Sequence, residues 1–297
     1  MKNKTVSVII PTYKRPDTLS RAIHTVLNQT YPCVEAIVVD DNDPNSEGRQ
    51  MTEVVMAEFS NNNRVRYIKH PFNKNGSAAR NTGARNSNSD YLAFLDDDDE
   101  FLPDKIDYQV KLLESLDLEW GCCYSRIITK RNGANEVLGK ESRQGKMFKE
   151  ALARDFIIGA GSNLLVRRSV FDEVGGFNET FKRNQDIELL SKILFKYKIA
   201  FSSEPGVVIN VHTESRKVDY VELTNQYIAA FQPMLEKMDK KDQQWVMECL
   251  NLQTYFYELR VEKHYVTCIK AILSGKLSVI KFVKYFIKHV IKSLRNR

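Results

Sequence analysis

The chain has 297 residues, 42% of them hydrophobic and 28% charged, with a formal net charge of +6; this is ordinary globular composition and excludes wholesale disorder. Nothing in it reaches the roughly 20 consecutive apolar residues of a membrane-spanning helix, and no signal segment is expected, because Met1–Thr5 is polar and the run that follows is only strand-length. Five cysteines, with Cys122 and Cys123 adjacent and none at metal or redox spacing, fit reduced thiols in a cytosolic protein.

In chain order, Thr5–Ile10 is a β-branched run ended by Pro11 and predicts the first strand. Thr12 and Tyr13 fall in the loop at its carboxyl end. Pro16, Asp17 and Thr18 then open a helix with Leu19, Ala22, Ile23, Val26 and Leu27 at helical spacing. A second strand, Val34–Val39, runs into Asp40-Asp41-Asn42-Asp43. A helix around Gly48–Ser60, a third strand at Val65–Lys69, and a Gly-containing loop, Asn73–Ser77, lead to a helix over Ala78–Asn86. The fourth strand, Tyr91-Leu92-Ala93-Phe94-Leu95, passes directly into Asp96, Asp97, Asp98 and Asp99. This alternation, with near-continuous apolar strands, predicts an α/β fold with a doubly wound, mostly parallel sheet.

Four adjacent aspartates repel one another and stay ionised only where water or a cation compensates them. Hard oxygen ligands suit Mn²⁺ or Mg²⁺, and Mg²⁺ usually combines one or two carboxylates with waters and substrate phosphates. Asp96–Asp98 therefore read as a metal-diphosphate site at the carboxyl end of a strand, where open α/β sheets bind ligands. Further on, Gly159-Ala160-Gly161-Ser162-Asn163 and Gly175-Gly176-Phe177 are turns at which backbone can approach a ligand. Asn184 stands at the start of a helix running from about Gln185 to Tyr197, and His212 follows a strand at Val207–Val211.

The last eighty or so residues turn helical and basic. Residues 276–297 hold seven of the 44 Lys/Arg and no acid, which leaves 37 basic against 38 acidic groups elsewhere. From Val279, apolar residues alternate at steps of three and four with Lys281, Lys284, Lys288, Lys292 and Arg295, the pattern of a basic amphipathic helix lying on an anionic membrane surface. The same pattern suits packing on the preceding domain or in a homodimer; nucleic acid does not fit, since the basic patch stops at the neutral body.

Several segments together resemble the inverting nucleotide-sugar glycosyltransferases of family 2: Val6-Ser7-Val8-Ile9-Ile10-Pro11-Thr12-Tyr13, Val38-Val39-Asp40-Asp41, Gly76-Ser77-Ala78-Ala79-Arg80-Asn81-Thr82-Gly83, Phe94-Leu95-Asp96-Asp97-Asp98-Asp99, Val174-Gly175-Gly176-Phe177-Asn178-Glu179, and Gln185-Asp186-Ile187-Glu188-Leu189. The resemblance implies a GT-A fold over residues 1–215; residues 216–297 do not share it, and their own spacing predicts a helical extension whose basic helix occupies about 276–297. It also implies transfer of a sugar, with inversion, from a nucleotide-diphosphate donor, a UDP-sugar first, to a saccharide or lipid-linked saccharide. The expected setting is cell-surface polysaccharide synthesis on the inner face of the plasma membrane.

Residue by residue, Tyr13 offers an aromatic face to the base, beside Pro11 and Thr12. Asp41, or alternatively Asp40, can accept from a pyrimidine N–H or a ribose hydroxyl, and the resemblance favours Asp41 for the base. Arg80 begins a helix whose N-terminus can face phosphates. Asp96 and Asp97 complete the donor side, with Asp98 and Asp96 as metal ligands and His212 as a further one. Asp186 matches the family's base, and Gly161 and Ser162 lie on the acceptor side. Two other readings use similar sheets: a metal-dependent nucleotidyltransferase, and a non-catalytic, membrane-associated nucleotide-sugar-binding protein. No Gly- and Arg/Lys-rich triphosphate loop follows the first strand, which argues against the former.

Overall fold

The computed structural model describes residues 3–131, 135–159, 161–181, 183–211 and 219–295. Two compact units divide the chain: Met1–Phe148 with Phe156–Thr213, and Lys149–Asp155 with Glu214–Arg297.

The first unit begins with β1 (Val6–Thr12), α1 (Pro16–Leu27), β2 (Val34–Asp40), α2 (Glu47–Ala57), β3 (Val65–Lys69), α3 (Gly76–Arg85) and β4 (Tyr91–Phe94). It continues through β5 (Glu100–Phe101), α4 (Lys105–Glu114), β6 (Trp120–Arg131) and β7 (Asn135–Leu138); the short α5 (Phe148–Leu152) belongs to the second unit from Lys149 on, and the first resumes with a 3₁₀ turn at Gly161–Asn163, β8 (Leu165–Arg167), α6 (Arg168–Glu173), α7 (Gln185–Lys196) and β9 (Lys198–Val211). Among the described residues these strands form one sheet in the order β3-β2-β1-β4-β8-β6-β9-β5, with β7 on β6. The half built from β3, β2, β1 and β4 is parallel; β8 is antiparallel to both β4 and β6, and β6 and β9 run parallel to each other. This is the GT-A arrangement of a mostly parallel α/β sheet.

Local chemistry explains these elements. Strands β1, β2 and β4 are buried along almost their whole length, so apolar residues face helices on both sides. Helix α1 opens on Pro16, whose fixed φ suits a first helical turn, and buries Leu19, Ala22, Ile23 and Val26 in the core. Helix α3 lies so close to β1 that a Cβ on Gly83 would come 2.4 Å from Ile9 Cγ2, so this face of the helix tolerates only glycine. The second strand extends one residue beyond the predicted end, to Asp40, and the strand expected at Val207–Val211 starts at Lys198.

Helix α4 buries a lysine. Lys105 is fully inaccessible, its Nζ donates to Gln109 Oε1 at 2.5 Å, and it lies 4.4 Å from the Phe101 ring centroid. Burial pushes this ammonium down to about 7, while in the unfolded chain it keeps its proton to about 10.4. Between those values the unfolded state binds more protons, so this group's contribution to stability rises with pH from about 7 to 10 and is most unfavourable below 7. Lys105→Met is therefore expected to stabilise the protein by about 1–3 kcal/mol near pH 6, after the lost bond to Gln109 is counted, with the gain shrinking by pH 9. Calorimetric melting of both proteins at the two pH values checks this; an equal or larger gain at pH 9 would show that the lysine is not held neutral.

The second unit holds α8 (Tyr220–Leu235), α9 (Lys240–Arg260), α10 (Tyr265–Leu273) and α11 (Val279–Arg295). Asp219 and Asp239 cap α8 and α9, accepting from the amides of Glu222 and Asp242 at 2.8 and 2.9 Å. Tyr255, Phe256, Cys268, Ala271, Leu277 and Phe282 form its core. All five cysteines are free. Among the described residues no helix is long and apolar enough to cross a membrane.

Candidate active site

The carboxyl ends of β1, β2 and β4 bring three predicted segments together. The acidic turn after β4 is the centre, and its four carboxylates do not share one environment. Asp97 turns toward β1, where it accepts from Thr12 Oγ1 at 2.8 Å and lies 3.5 Å from an Arg15 nitrogen; burial pushes its carboxyl up to about 7. Asp98 pairs with Arg15, and its carbonyl accepts from Arg21 at 3.1 Å and from Asn210 Nδ2 at 2.7 Å. Asp99 accepts from Ser162 Oγ at 2.6 Å and from the Asn210 amide at 3.0 Å, and burial, reinforced by the neighbouring charge of Asp96, pushes it up to about 8. Asp96 pairs with Arg80, and its amide donates to Ser162 Oγ at 3.0 Å.

Asp96, Asp98 and Asp99 each offer an oxygen within 4.8 Å of the others. Three hard, converging carboxylate oxygens, two of them more than nine-tenths buried, make a donor set that fits Mn²⁺ or Mg²⁺. Asp99 enters this set where Asp97 does not, because consecutive residues of a tight turn diverge. His212 lies outside the described residues.

The candidate base joins this cluster through Arg80. Its guanidinium spans from Asp96 to Gln185 Oε1, the latter at 3.0 Å, so helix α7 is held beside the acidic turn. Asp186 is the next residue, and a Cβ on Gly161 would lie 3.6 Å from the Asp186 Cβ. The carboxyl lines a small cavity of about 40 Å³ with Phe94, Ile158, Leu164, Phe177 and Leu190. Burial pushes Asp186 above the usual carboxylate range, and the charge of Asp96 adds to this while the Ile187 amide opposes it. A carboxylate in such surroundings is a stronger base than one in water. Asn184, the residue before α7, has a left-handed backbone (φ 56°) and makes no side-chain cap bond, so its role is conformational.

The loop from Asn73 to Asn75 forms another wall. Asp41, 3% exposed, accepts at both oxygens: from the amides of Lys74 and Asn75 at 2.8 and 2.9 Å, from Asn73 Nδ2 at 2.9 Å, and beside His70 Nδ1 at 2.7 Å. Asp40 is inaccessible, paired with Arg49 at 2.9 Å and accepting from Tyr67 Oη at 2.5 Å. Both aspartates thus already have partners within the fold. Tyr13 is 39% exposed at the mouth, with Lys14 Nζ 5.0 Å from its ring centroid, and Pro11 lies within β1 just before it. The Gly175-Gly176-Phe177 turn is pinned by Asn81, which accepts from the Phe177 amide and donates to its carbonyl, both at 2.9 Å.

Sequence reasoning assigned no site role to Arg15, Arg21, Gln185 or Asn210. Arg15 stands two residues after Tyr13 and Gln185 directly before Asp186, but a lone arginine or glutamine carries no signal until its partner is placed.

The profile described as "Glycosyl transferase family 2" matches residues 7–175. Among curated proteins, the chain is 26% identical over 98% of its length to an uncharacterised glycosyltransferase of Rickettsia typhi, covering 91% of that protein. It is 30% identical over 72% of its length to one of Rickettsia felis, of which it spans only 35%. It is 27% identical over 65% of its length to the Escherichia coli UDP-Glc:alpha-D-GlcNAc-diphosphoundecaprenol beta-1,3-glucosyltransferase WfgD, covering 71% of it. Among solved structures, Staphylococcus aureus TarS 1-349 in complex with UDP-GlcNAc superposes with a TM-score of 0.66 at 15% identity, over 86% of this chain and 76% of that one. The mannosyltransferase PcManGT of Pyrobaculum calidifontis, with GDP-Man and Mn²⁺, does so at 0.58 and 16%, over 100% and 89%.

Proposed function

The chain belongs to glycosyl transferase family 2, and from that premise we propose that it moves a sugar from a UDP-sugar to a hydroxyl of a saccharide or lipid-linked saccharide, with inversion, in the building of a cell-surface polysaccharide. One observation carries the reading: Arg80 ties Asp96 of the acidic turn to Gln185, the neighbour of Asp186, so a diphosphate-side cluster and a half-buried carboxylate share one site.

The donor nucleotide lies along the ends of β1 and β2, its base against Tyr13 and its ribose near Thr12 and Pro11. Asp41 shapes the wall through the Asn73–Asn75 loop, and a base N–H that reached it would displace one of its present donors. Asp96 and Asp98 would hold the divalent ion, with Asp99 as a third carboxylate; when bound, the ion neutralises charge on the leaving diphosphate. Asp186 takes the proton from the acceptor hydroxyl as its oxygen attacks the anomeric carbon, and the electron pair of the broken bond leaves on the diphosphate from the opposite face. Gly161 and Ser162 border the acceptor side, where the absence of a side chain at Gly161 leaves room beside Asp186.

The UDP preference draws on the named donors of the E. coli relative and the TarS complex, and the lipid-linked acceptor on that relative's substrate. The basic, acid-free C-terminal segment supports the reading that the protein docks on the inner face of the plasma membrane, where a lipid-linked acceptor would be met. Calorimetric titration of UDP with Mn²⁺ and with chelator tests the donor site: metal-dependent binding is expected, and no binding in either condition would remove the UDP assignment.

A further inference from the structure

Helices α10 and α11 each use one face for the core of the second unit and leave another in solvent. In α10, Cys268 and Ala271 are buried, whereas Val266, Ile269 and Leu273 are 64%, 55% and 81% exposed. In α11, Phe282 is buried and Phe286 packs against the same core, whereas Ile280, Val283 and Ile287 are 70%, 48% and 50% exposed. Each exposed set has the spacing i, i+3, i+7, one continuous stripe on a helix. The apolar residues expected from sequence to form a single membrane-facing side of α11 are therefore divided, and α10 supplies a second apolar stripe that the periodicity of the tail had not included.

Charge selects what covers these stripes. Residues 263–297 contain nine Lys/Arg and no Asp or Glu. Lys281 pairs with Glu248 of α9 at 2.7 Å, which leaves the exposed Lys270 and Lys284 beside the stripes; a second copy of the chain would set these same cations against each other, and like charges oppose that contact. An anionic bilayer meets both demands: the apolar stripes enter the headgroup boundary while Lys270 and Lys284, both exposed, reach outward along their aliphatic stems to lipid phosphates.

We propose that α10 and α11 together form a two-helix membrane-docking surface for an anionic leaflet, with Val266, Ile269 and Leu273 of α10 inserting as well as Ile280, Val283 and Ile287 of α11. This rests on the membrane reading above and assigns its surface. α11 cannot insert with its whole apolar circumference, because Phe282 and Phe286 are engaged by the core around Phe256.

Co-sedimentation of the full chain with vesicles of mixed phosphatidylcholine and phosphatidylglycerol, and with phosphatidylcholine alone, is the test. The wild type should sediment with the anionic vesicles, and the triple variant V266S/I269S/L273S should lose about tenfold or more in partitioning with an unchanged circular dichroism spectrum. Because the three side chains are exposed, the fold should survive; I280S/V283S/I287S provides the matching change on α11. A wild type that binds no vesicles defeats the membrane reading itself. A wild type that binds while the α10 variant binds equally well overturns the assignment of α10. Wild-type self-association in gel filtration that the α10 variant abolishes would make the stripe a protein interface and overturn it too.

Discussion

Asp186→Asn should abolish sugar transfer, lowering kcat by about 10²–10⁴-fold, while UDP binding stays within about twofold of wild type. The substitution keeps the shape of the side chain and removes only its capacity to take a proton. Arg80 and Gln185, which hold α7 beside the acidic turn, do not depend on it, so the donor side should be undisturbed. The raised position of the carboxyl makes a second statement. Activity should fall as pH drops through that raised value, because the base is then already protonated, and Asp186→Asn should lack this acid limb in its residual rate. A variant turning over within about threefold of wild type would take the base role from Asp186.

Asp98→Asn should remove the metal-dependent part of UDP binding, about 10–100-fold in affinity in the presence of Mn²⁺, and leave the weaker binding seen with chelator. Asp98 sits in the one cluster of three carboxylates found among the described residues, within a turn of four consecutive aspartates. Removing its charge relieves repulsion from the neighbouring aspartates and also gives up the ion pair with the half-exposed Arg15, two effects of opposite sign, so the melting temperature of the metal-free protein should stay close to that of the wild type. Loss of binding together with a lowered melting temperature would point to damage of the turn; unchanged Mn²⁺-dependent binding would move the ion elsewhere.

Much of the first unit is legible along the chain, because what identifies a strand or helix is local. Val6–Ile10, Val34–Val39 and Tyr91–Phe94 are near-continuous apolar runs, interrupted only by Ser7 and Glu35, and short runs of this kind alternating with helices fit strands covered on both faces in a parallel sheet. Their ends carry the polar chemistry, so the position of the ligand edge is readable as well. Helix α1 is legible down to its first residue, since Pro16 marks N1 and the apolar spacing does the rest. The division of the chain is less so: Lys149–Asp155 belongs with the C-terminal unit, and nothing in those seven residues signals an association with helices that begin far downstream.

By itself, then, the amino-acid sequence determined the α/β alternation, the carboxylates at the strand ends and the basic, acid-free tail, all properties of neighbours in the chain. Only the tertiary structure decided what each of those groups faces. It turned Asp97 toward Thr12 and Asp99 toward Ser162 and Asn210, joined Asp96 to Gln185 through Arg80, gave Asp41 to the Asn73–Asn75 loop, and split the apolar side of α11 between core and solvent. The reason is physical: strand and helix periods are set by the backbone within a few residues, whereas a carboxylate's partner is chosen by the packing of segments that can be a hundred residues apart.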